Sequence, residues 1–206
     1  MSNAREIKSK VASVKNTQKI TGAMELVAAS KMRGAIVKMN NVRPYVSCAN
    51  TIIKNVVAAS IDYPNTYLLD REIKRVGYIV TSTDRGLCGG LNINLFKQVL
   101  RDIKKNLDKK VGVDICVIGA KAEAFFTKLK GVNIIAIAHY SDKNNEASIK
   151  SIVGAVTVML DKFTKGELDR IYLNSNHFES TIKQKPIQQT LLPIQDVFTE
   201  EEKKAN

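Results

Sequence analysis

A continuous heptad pattern in residues 3–42 constrains the fold more than any other feature of this 206-residue chain. Positions spaced alternately by four and three form one stripe, which is the rhythm of a helix packed against another helix. The stripe is apolar at both ends and polar or small in its middle. Its positions are Ile7, Val11, Val14, Gln18, Thr21, Glu25, Ala28, Met32, Ala35, Met39 and Val42. The pattern predicts a long helix that needs a helical partner.

The helical pattern continues beyond the stripe to about residue 57. Pro44 is expected to kink or interrupt it near Arg43, because proline lacks a backbone N–H, and Tyr63-Pro64-Asn65 is expected to end it. Such a helix reaches roughly 80 Å at 1.5 Å per residue. We therefore expect residues 1–65 to form a projecting helical unit. The sequence holds no second long helix to cover the stripe, so another subunit or a further segment must do so.

Residues 70–195 alternate between strand-like and helix-like segments, and a polar tail, 196–206, follows them. The strand-like segments are Arg75–Ser82, Val113–Ile118, Asn133–Ala138 and Arg170–Ser175. The helix-like segments are Ile93–Leu107, Ala120–Leu129 and Glu146–Lys165. This alternation predicts a Rossmann-like α/β domain with a mainly parallel sheet. Phe178–Lys183 and Ile187–Leu192 are expected to add one or two edge strands, and Asp196–Asn206 is expected to be frayed.

The net charge of +12 is concentrated in the N-terminal segment, where residues 1–60 carry ten Lys/Arg and only two acids. That segment therefore holds +8, and its field attracts acidic partners. Its only aromatic residue is Tyr45, so it lacks a stacking platform for nucleic-acid bases. An acidic protein surface is favoured over nucleic acid. No apolar run approaches the ~20 residues needed to span a bilayer, so membrane association is expected only through partners.

A glycine-rich string, Ser82–Asn92, follows the first predicted strand and leads into a helix. Anionic ligands often bind at this position in α/β sheets, which makes a nucleotide-using enzyme one hypothesis. The glycines at 86, 89 and 90 fit neither common nucleotide motif, and a tight turn is the favoured explanation. Cys88 with His139 or His177 forms no recognisable catalytic arrangement. The string predicts no catalytic, cofactor or metal residue.

Two strings resemble the gamma subunits of bacterial F-type ATP synthases. They are residues 16–32, with NTQKIT followed by AMELVAASKM, and residues 82–92, STDRGLCGGLN. The resemblance extends from residue 2 to about 195. It implies that the N-terminal helix is half of an antiparallel coiled-coil shaft inside the alpha–beta hexamer. It also implies that the α/β domain meets epsilon and the c-subunit ring at the cytoplasmic face of the inner membrane.

The resemblance further implies a non-catalytic rotor subunit that transmits torque between the proton-driven ring and the catalytic beta subunits. The beta contacts that it implies are Lys19, Met24, Lys31, Arg33 and Arg85. The family's second shaft helix follows the last strand, and this sequence stops before it. A truncated fragment with partial or no function is the alternative, and the uncovered stripe is then expected to be exposed.

Overall fold

The computed structural model describes residues 2–59, 65–140 and 145–194. The chain divides into two compact units, Met1–Ile61 and Asp62–Asn206. The expected frayed tail and residues 63–64 of the expected helix end lie outside the described residues.

The first unit is one helix, α1, which spans Ser2–Ala59. Its 58 residues correspond to about 87 Å at 1.5 Å per residue. The expected interruption near Arg43 is wrong, because Pro44 lies inside the continuous helix. Proline removes one intrahelical hydrogen bond, whereas ending the helix would leave up to four N–H and four C=O groups unpaired. Continuing the helix on both sides of Pro44 therefore costs fewer hydrogen bonds than ending it there.

The heptad stripe of α1 is exposed in the chain taken alone, as expected for an uncovered seam. Ile7 is 55% exposed and Val14 is 67% exposed. Leaving a large aliphatic side chain in water forgoes about 1.5–3 kcal/mol of burial free energy. Repeated along the helix, this loss makes the stripe a surface suited to a partner.

The second unit is an α/β domain built on a five-stranded sheet of order β3-β2-β1-β4-β5. The first four strands are parallel, and β5 pairs antiparallel with β4. This confirms the predicted fold class. The elements are β1 (Arg75–Thr81), α2 (Leu91–Asp108), β2 (Gly112–Ile118), α3 (Ala120–Phe126), β3 (Asn133–Ala138), α4 (Asn145–Thr164), β4 (Arg170–Phe178) and β5 (Gln184–Leu192).

Each face of the sheet has its own apolar core. On one face, Tyr78 of β1 packs with Leu95 and Phe96 of α2 and with Phe126 of α3. On the other, Ile79 of β1 packs with residues of α4 such as Met159 and Phe163. Strands buried on both faces read as nearly continuous apolar runs, which is why β1 and β2 were recognisable in the sequence.

The predicted segment Phe178–Lys183 is wrong as a strand. Phe178 ends β4, and residues 179–183 close a hairpin in which the Ser180 N–H donates to the Lys183 carbonyl at 3.0 Å. Helix α3 is also shorter than predicted and ends at Phe126. The Leu129 N–H donates to the Phe126 carbonyl at 3.0 Å, three residues back, so this segment is a turn that leads into Gly131 at φ +84°.

A buried polar network joins β1, α2 and β5. The Tyr78 hydroxyl donates to Asp102 Oδ2 at 2.6 Å and accepts from Asn106 Nδ2 at 2.6 Å. Gln188 Nε2 donates to the same carboxylate oxygen at 3.0 Å. Burial of Tyr78, together with its bond to Asp102, raises the pKa of the hydroxyl well above its usual value. Gln188 therefore ties the edge strand to α2, and the neutral Tyr78 ties α2 to β1.

Candidate functional site at the glycine-rich loop

The glycine-rich string forms the loop between β1 and α2, at the carboxyl edge of the sheet. Asn92, on the first turn of α2, organises this loop. Its Oδ1 accepts from the Thr83 N–H at 3.2 Å, and its Nδ2 donates to Thr83 Oγ1 at 2.8 Å and to Cys88 Sγ at 3.4 Å. Thr83 Oγ1 donates in turn to the Arg85 carbonyl at 2.6 Å. These bonds hold the loop in one shape.

Asp84 ties the loop to the ends of two neighbouring elements. Its carboxylate accepts from the backbone N–H of Ala120, at the start of α3, at 2.8 Å. Its other oxygen accepts from the N–H of Tyr140, beyond β3, at 3.0 Å. His139 Nδ1 lies 3.8 Å from Asp84, and His139 Nε2 lies 3.2 Å from Glu123. Tyr140 is 46% exposed; partial desolvation of its hydroxyl, together with the neighbouring Asp84 carboxylate, raises the pKa of that hydroxyl.

The start of the loop packs directly on the turn that precedes α3. Gly119 has φ +102°, and a Cβ there would lie 2.4 Å from the Ser82 carbonyl oxygen. Real atoms do not approach so closely, and this backbone conformation favours glycine. Ser82 Oγ also accepts from the Ala122 N–H at 2.8 Å. Gly119 therefore allows the close contact that positions the loop.

Leu87 projects from the middle of the loop. It is 94% exposed and has φ +61°, a left-handed conformation that is unusual for a residue with a side chain. Beside it is a depression of about 450 Å³ whose wall includes Ile93, Phe96, Phe125 and Lys121. A rigid loop with an exposed leucine and a mostly apolar depression is suited to contact with another protein. The apolar lining gives little support to phosphate binding.

Four of the five sequence-predicted contact residues lie exposed on α1. At 100° per residue, Met24 and Lys31 are about 20° apart and share one face. Lys19 and Arg33 are about 40° apart and share another face, whose centre lies about 150° from the centre of the first. The fifth residue, Arg85, is exposed in the loop of the second unit. The predicted contacts therefore form three separate surfaces.

The catalytic reading of Cys88 gains no support. The hydrogen-bond partners found for its sulfur are Asn92 and Thr83, and neither is a histidine. Within residues 2–59, 65–140 and 145–194, no group of His, Cys, Asp or Glu is arranged to hold a metal ion. No helix in that part of the chain is long and apolar enough to cross a membrane.

Sequence reasoning missed Asp84 and Asn92 as the residues that shape the loop. Their partners are distant in sequence or belong to the backbone, so spacing alone does not reveal them. The available signal was local: a polar Ser-Thr-Asp run directly after a buried strand, and Asn as the second residue of a helix. Both residue types commonly hydrogen-bond nearby backbone groups.

The fold and the loop define an α/β subunit with a contact surface at the carboxyl edge of its sheet and a long helix that exposes a heptad stripe. The family model described as ATP synthase matches residues 3–206. The ATP synthase gamma chain of Francisella tularensis subsp. novicida is 78% identical over all 206 residues, which span 69% of that relative. The gamma chain of Francisella philomiragia subsp. philomiragia is 77% identical over the same spans.

A solved structure shows the same fold at lower identity. The match is to the mitochondrial ATP synthase of Tetrahymena thermophila, in a structure of its central stalk and c-ring. The TM-score is 0.57 at 22% identity, with 84% of this chain and 72% of that chain covered. The sequence relatives decide the family: this chain belongs to the ATP synthase gamma chain family.

Proposed function

We propose that the chain is the non-catalytic rotor subunit of a proton-translocating F-type ATP synthase and transmits torque to the catalytic beta subunits. The observation that carries this proposal is the 58-residue α1 with its exposed heptad stripe. A helix of that length with an uncovered apolar seam suits a shaft in which it packs against a second long helix. Membership of the gamma chain family supplies the complex in which such a shaft operates.

The partners that we propose are the alpha and beta subunits around the shaft, and epsilon and the c-subunit ring around the α/β unit. The Tetrahymena structure with the same fold, which contains the central stalk and the c-ring, supports this placement. The positive charge of α1 suits acidic loops of beta subunits. Exposed ion pairs contribute only about 0–1 kcal/mol each, so they allow a rotating surface to pass successive partners. The assembly is proposed at the cytoplasmic face of the bacterial inner membrane.

The stripe requires a second long helix, which we place in the part of the curated relatives that this chain does not span. The Ile194 N–H donates to the Tyr67 carbonyl at 2.9 Å. The backbone leaving β5 is thus held beside the segment that leads from α1 into the sheet. Tyr67 follows α1 by eight residues in the sequence, so we propose that a helix continuing beyond Ile194 pairs with α1 as its antiparallel partner.

Arg85 and Leu87 are the proposed beta contacts on the α/β unit. Arg85 offers a cation, and Leu87 offers an exposed apolar group on the loop that Asn92 and Asp84 hold rigid. A preformed loop loses little conformational entropy on binding. On α1, the two faces defined by Met24 with Lys31 and by Lys19 with Arg33 meet different neighbours. This division fits a shaft surrounded by several subunits.

Binding to an alpha–beta complex tests the proposal. Alpha and beta subunits from Francisella tularensis subsp. novicida are immobilised, and binding of the full chain is measured with the parent and with Arg85→Glu. We expect binding by the parent and a roughly tenfold loss for the charge reversal. Arg101→Glu is the matched control, because it makes the same change on α2 away from the loop. Equal losses for the two variants, or no binding by the parent, would contradict the proposal.

A further inference from the structure

A second basic surface lies on the α/β unit, on the face covered by α2 and α3. Residues 91–131 contain nine Lys/Arg and four Asp/Glu, a net charge of +5. Six exposed lysines lie in the last turns of α2, directly after it, and in the turn after α3. We call them the lysine patch: Lys104, Lys105, Lys109, Lys110, Lys128 and Lys130. Among the residues that the structure describes, no ion pair involves any of these six.

Packing between the two segments brings the patch together. A Cβ on Gly131, next to Lys130, would lie 3.6 Å from Leu107 Cδ1 in the last turn of α2. Helix α2 ends where β2 begins, and the first residue of β2 pairs with Arg75, the first residue of β1. The patch therefore lies at the amino edge of the sheet. The length of β1 separates it from the glycine-rich loop by about 23 Å.

Charged groups on the opposite face at the same edge are neutralised within the chain. Lys162 Nζ lies 2.8 Å from Glu167 and 3.6 Å from Asp114. Arg75 Nη1 lies 2.8 Å from Asp114. Within the part of the chain that the structure describes, the six patch lysines form no such ion pair. Clustered like charges repel one another unless an external anion compensates them.

Lys110 occupies a position that glycine usually fills. Its φ is +60°, and it follows the last turn of α2. The Val111 N–H donates to the Asn106 carbonyl and the Lys110 N–H donates to the Leu107 carbonyl, both at 2.9 Å. These two bonds define a Schellman ending, whose left-handed position favours glycine because a side chain there is strained. Glycine would relieve the backbone strain at position 110 but would carry no charge, and the chain has lysine there.

The chemistry of the patch favours a fluid anionic surface over a protein or a nucleic acid. Protein interfaces are depleted in lysine and centre on buried aromatic or arginine anchors, whereas the surface around Leu107, which is 37% exposed, is dominated by lysines, with Asp108 as the acid in the last turn of α2. It has no aromatic group on which bases can stack. Lysine is a compact point charge without the fixed geometry of arginine. Mobile lipid headgroups accept such charges in any arrangement.

We propose that the lysine patch binds the headgroups of anionic phospholipids and places the amino edge of the sheet against the membrane surface. This contact goes beyond the proposed rotor function, because it belongs to the chain itself and does not depend on assembly. It also adds a direct lipid contact to the partner-mediated membrane association expected from the sequence. The contact is electrostatic and superficial, since the apolar group at the centre of the patch, Leu107, is only 37% exposed.

Lysine acetylation of the full chain locates the contact. The chain is treated with a water-soluble acetylating reagent in the presence of phosphatidylcholine vesicles, with or without phosphatidylglycerol. We expect several-fold slower acetylation of the six patch lysines with anionic vesicles only, and loss of this protection at high salt. Unprotected patch lysines would overturn the proposal. Equal protection by a short DNA duplex at the same phosphate concentration would overturn the assignment to lipid.

Matched charge variants separate the patch from α1, which is also basic. Replacing Lys104, Lys109, Lys128 and Lys130 with Gln is expected to lower partitioning into anionic vesicles by roughly 100-fold or more. The control replaces Lys8, Lys15, Lys19 and Lys31 of α1 with Gln and should leave protection of the patch lysines unchanged. A patch variant that binds like the parent, or a control that abolishes patch protection, would overturn the proposal.

Lys110→Gly distinguishes a binding role from a structural one. Removing the strain should raise the midpoint of thermal unfolding by a few degrees, while removing the charge should weaken vesicle binding roughly fivefold. A purely structural lysine predicts no change in binding. Unchanged binding by this variant would therefore count against the patch.

Discussion

Replacement of Asp84 tests whether one carboxylate holds the glycine-rich loop in place. Asp84→Ala removes two charge-assisted hydrogen bonds, from Ala120 N at 2.8 Å and from Tyr140 N at 3.0 Å. Hydrogen bonds to charged groups contribute about 1.5–3 kcal/mol each. The Asp84 side chain is 24% exposed, so water can partly replace it. We therefore expect a loss of about 2–4 kcal/mol from the free energy of unfolding of the α/β unit.

Urea unfolding followed by tyrosine fluorescence measures this loss. The chain has no tryptophan, and five of its six tyrosines belong to the α/β unit, so the signal reports mainly this unit. These five are Tyr63, Tyr67, Tyr78, Tyr140 and Tyr172. Asp84→Asn keeps one acceptor oxygen and should lose about half as much as Asp84→Ala.

Asp108→Ala is the matched control for this experiment. Asp108 is exposed in the last turn of α2, where a negative charge is unfavourable, so its removal should be neutral or slightly stabilising. If Asp84→Ala and Asp108→Ala changed the free energy of unfolding equally, the bridging role of Asp84 would be refuted.

Three further predictions concern backbone and titration. Gly119→Ala should lower the free energy of unfolding by at least about 2 kcal/mol. Gly154 on α4 has open space around it, so Gly154→Ala should raise the free energy of unfolding by up to about 1 kcal/mol. Urea titration of both variants measures these changes, and equal effects would contradict the close contact at Gly119. The raised pKa of Tyr78 keeps it protonated in the folded state, so stability should be complete below pH ~10 and fall above it by up to about 1.4 kcal/mol per pH unit. Tyr78→Phe should flatten this dependence in urea titrations at several alkaline pH values, and an unchanged slope would count against the buried hydroxyl. Pro44→Ala should raise the helical circular dichroism signal of the full chain, because it restores a hydrogen bond within α1; an unchanged signal would show that the proline does not weaken the helix.

The sequence predicted the α/β architecture because its signals are local. Buried parallel strands such as Val113–Ile118 produce apolar runs, and the helices between them have the length that crossover connections require. The family resemblance rested on two long strings in the correct order, and the comparisons confirm it. The order of strands in the sheet depends on long-range pairing, and sequence reasoning did not address it.

The errors share a physical cause. A residue pattern does not show which of two alternatives, such as a bent or an ended helix, loses fewer hydrogen bonds. Pro44 predicts a break only if ending the helix is cheaper than losing one bond, and it is not. The β-prone residues 178–183 form a turn because β4 and β5 pair on either side of them. The loop contacts of Asp84 depend on α3 and β3 ending at the same edge of the sheet.

The charge distribution was only partly understood from the sequence. The surplus in residues 1–60 was evident, and the rest of the chain was assigned the small remainder of +4. This remainder conceals a net charge of +5 in residues 91–131, because the rest of residues 61–206 carries 13 Lys/Arg and 14 Asp/Glu, a net charge of −1. Only the fold brings Lys109 and Lys130 to the same edge of the sheet.

Native mass spectrometry of a reconstituted complex tests the central claim most directly. The full chain is expressed together with alpha and beta subunits of Francisella tularensis subsp. novicida, the organism of a gamma chain that is 78% identical. The rotor assignment predicts a complex in which one copy of this chain accompanies three alpha and three beta subunits. Alpha and beta subunits that assemble without the chain, or that bind it in equal numbers, would contradict the assignment.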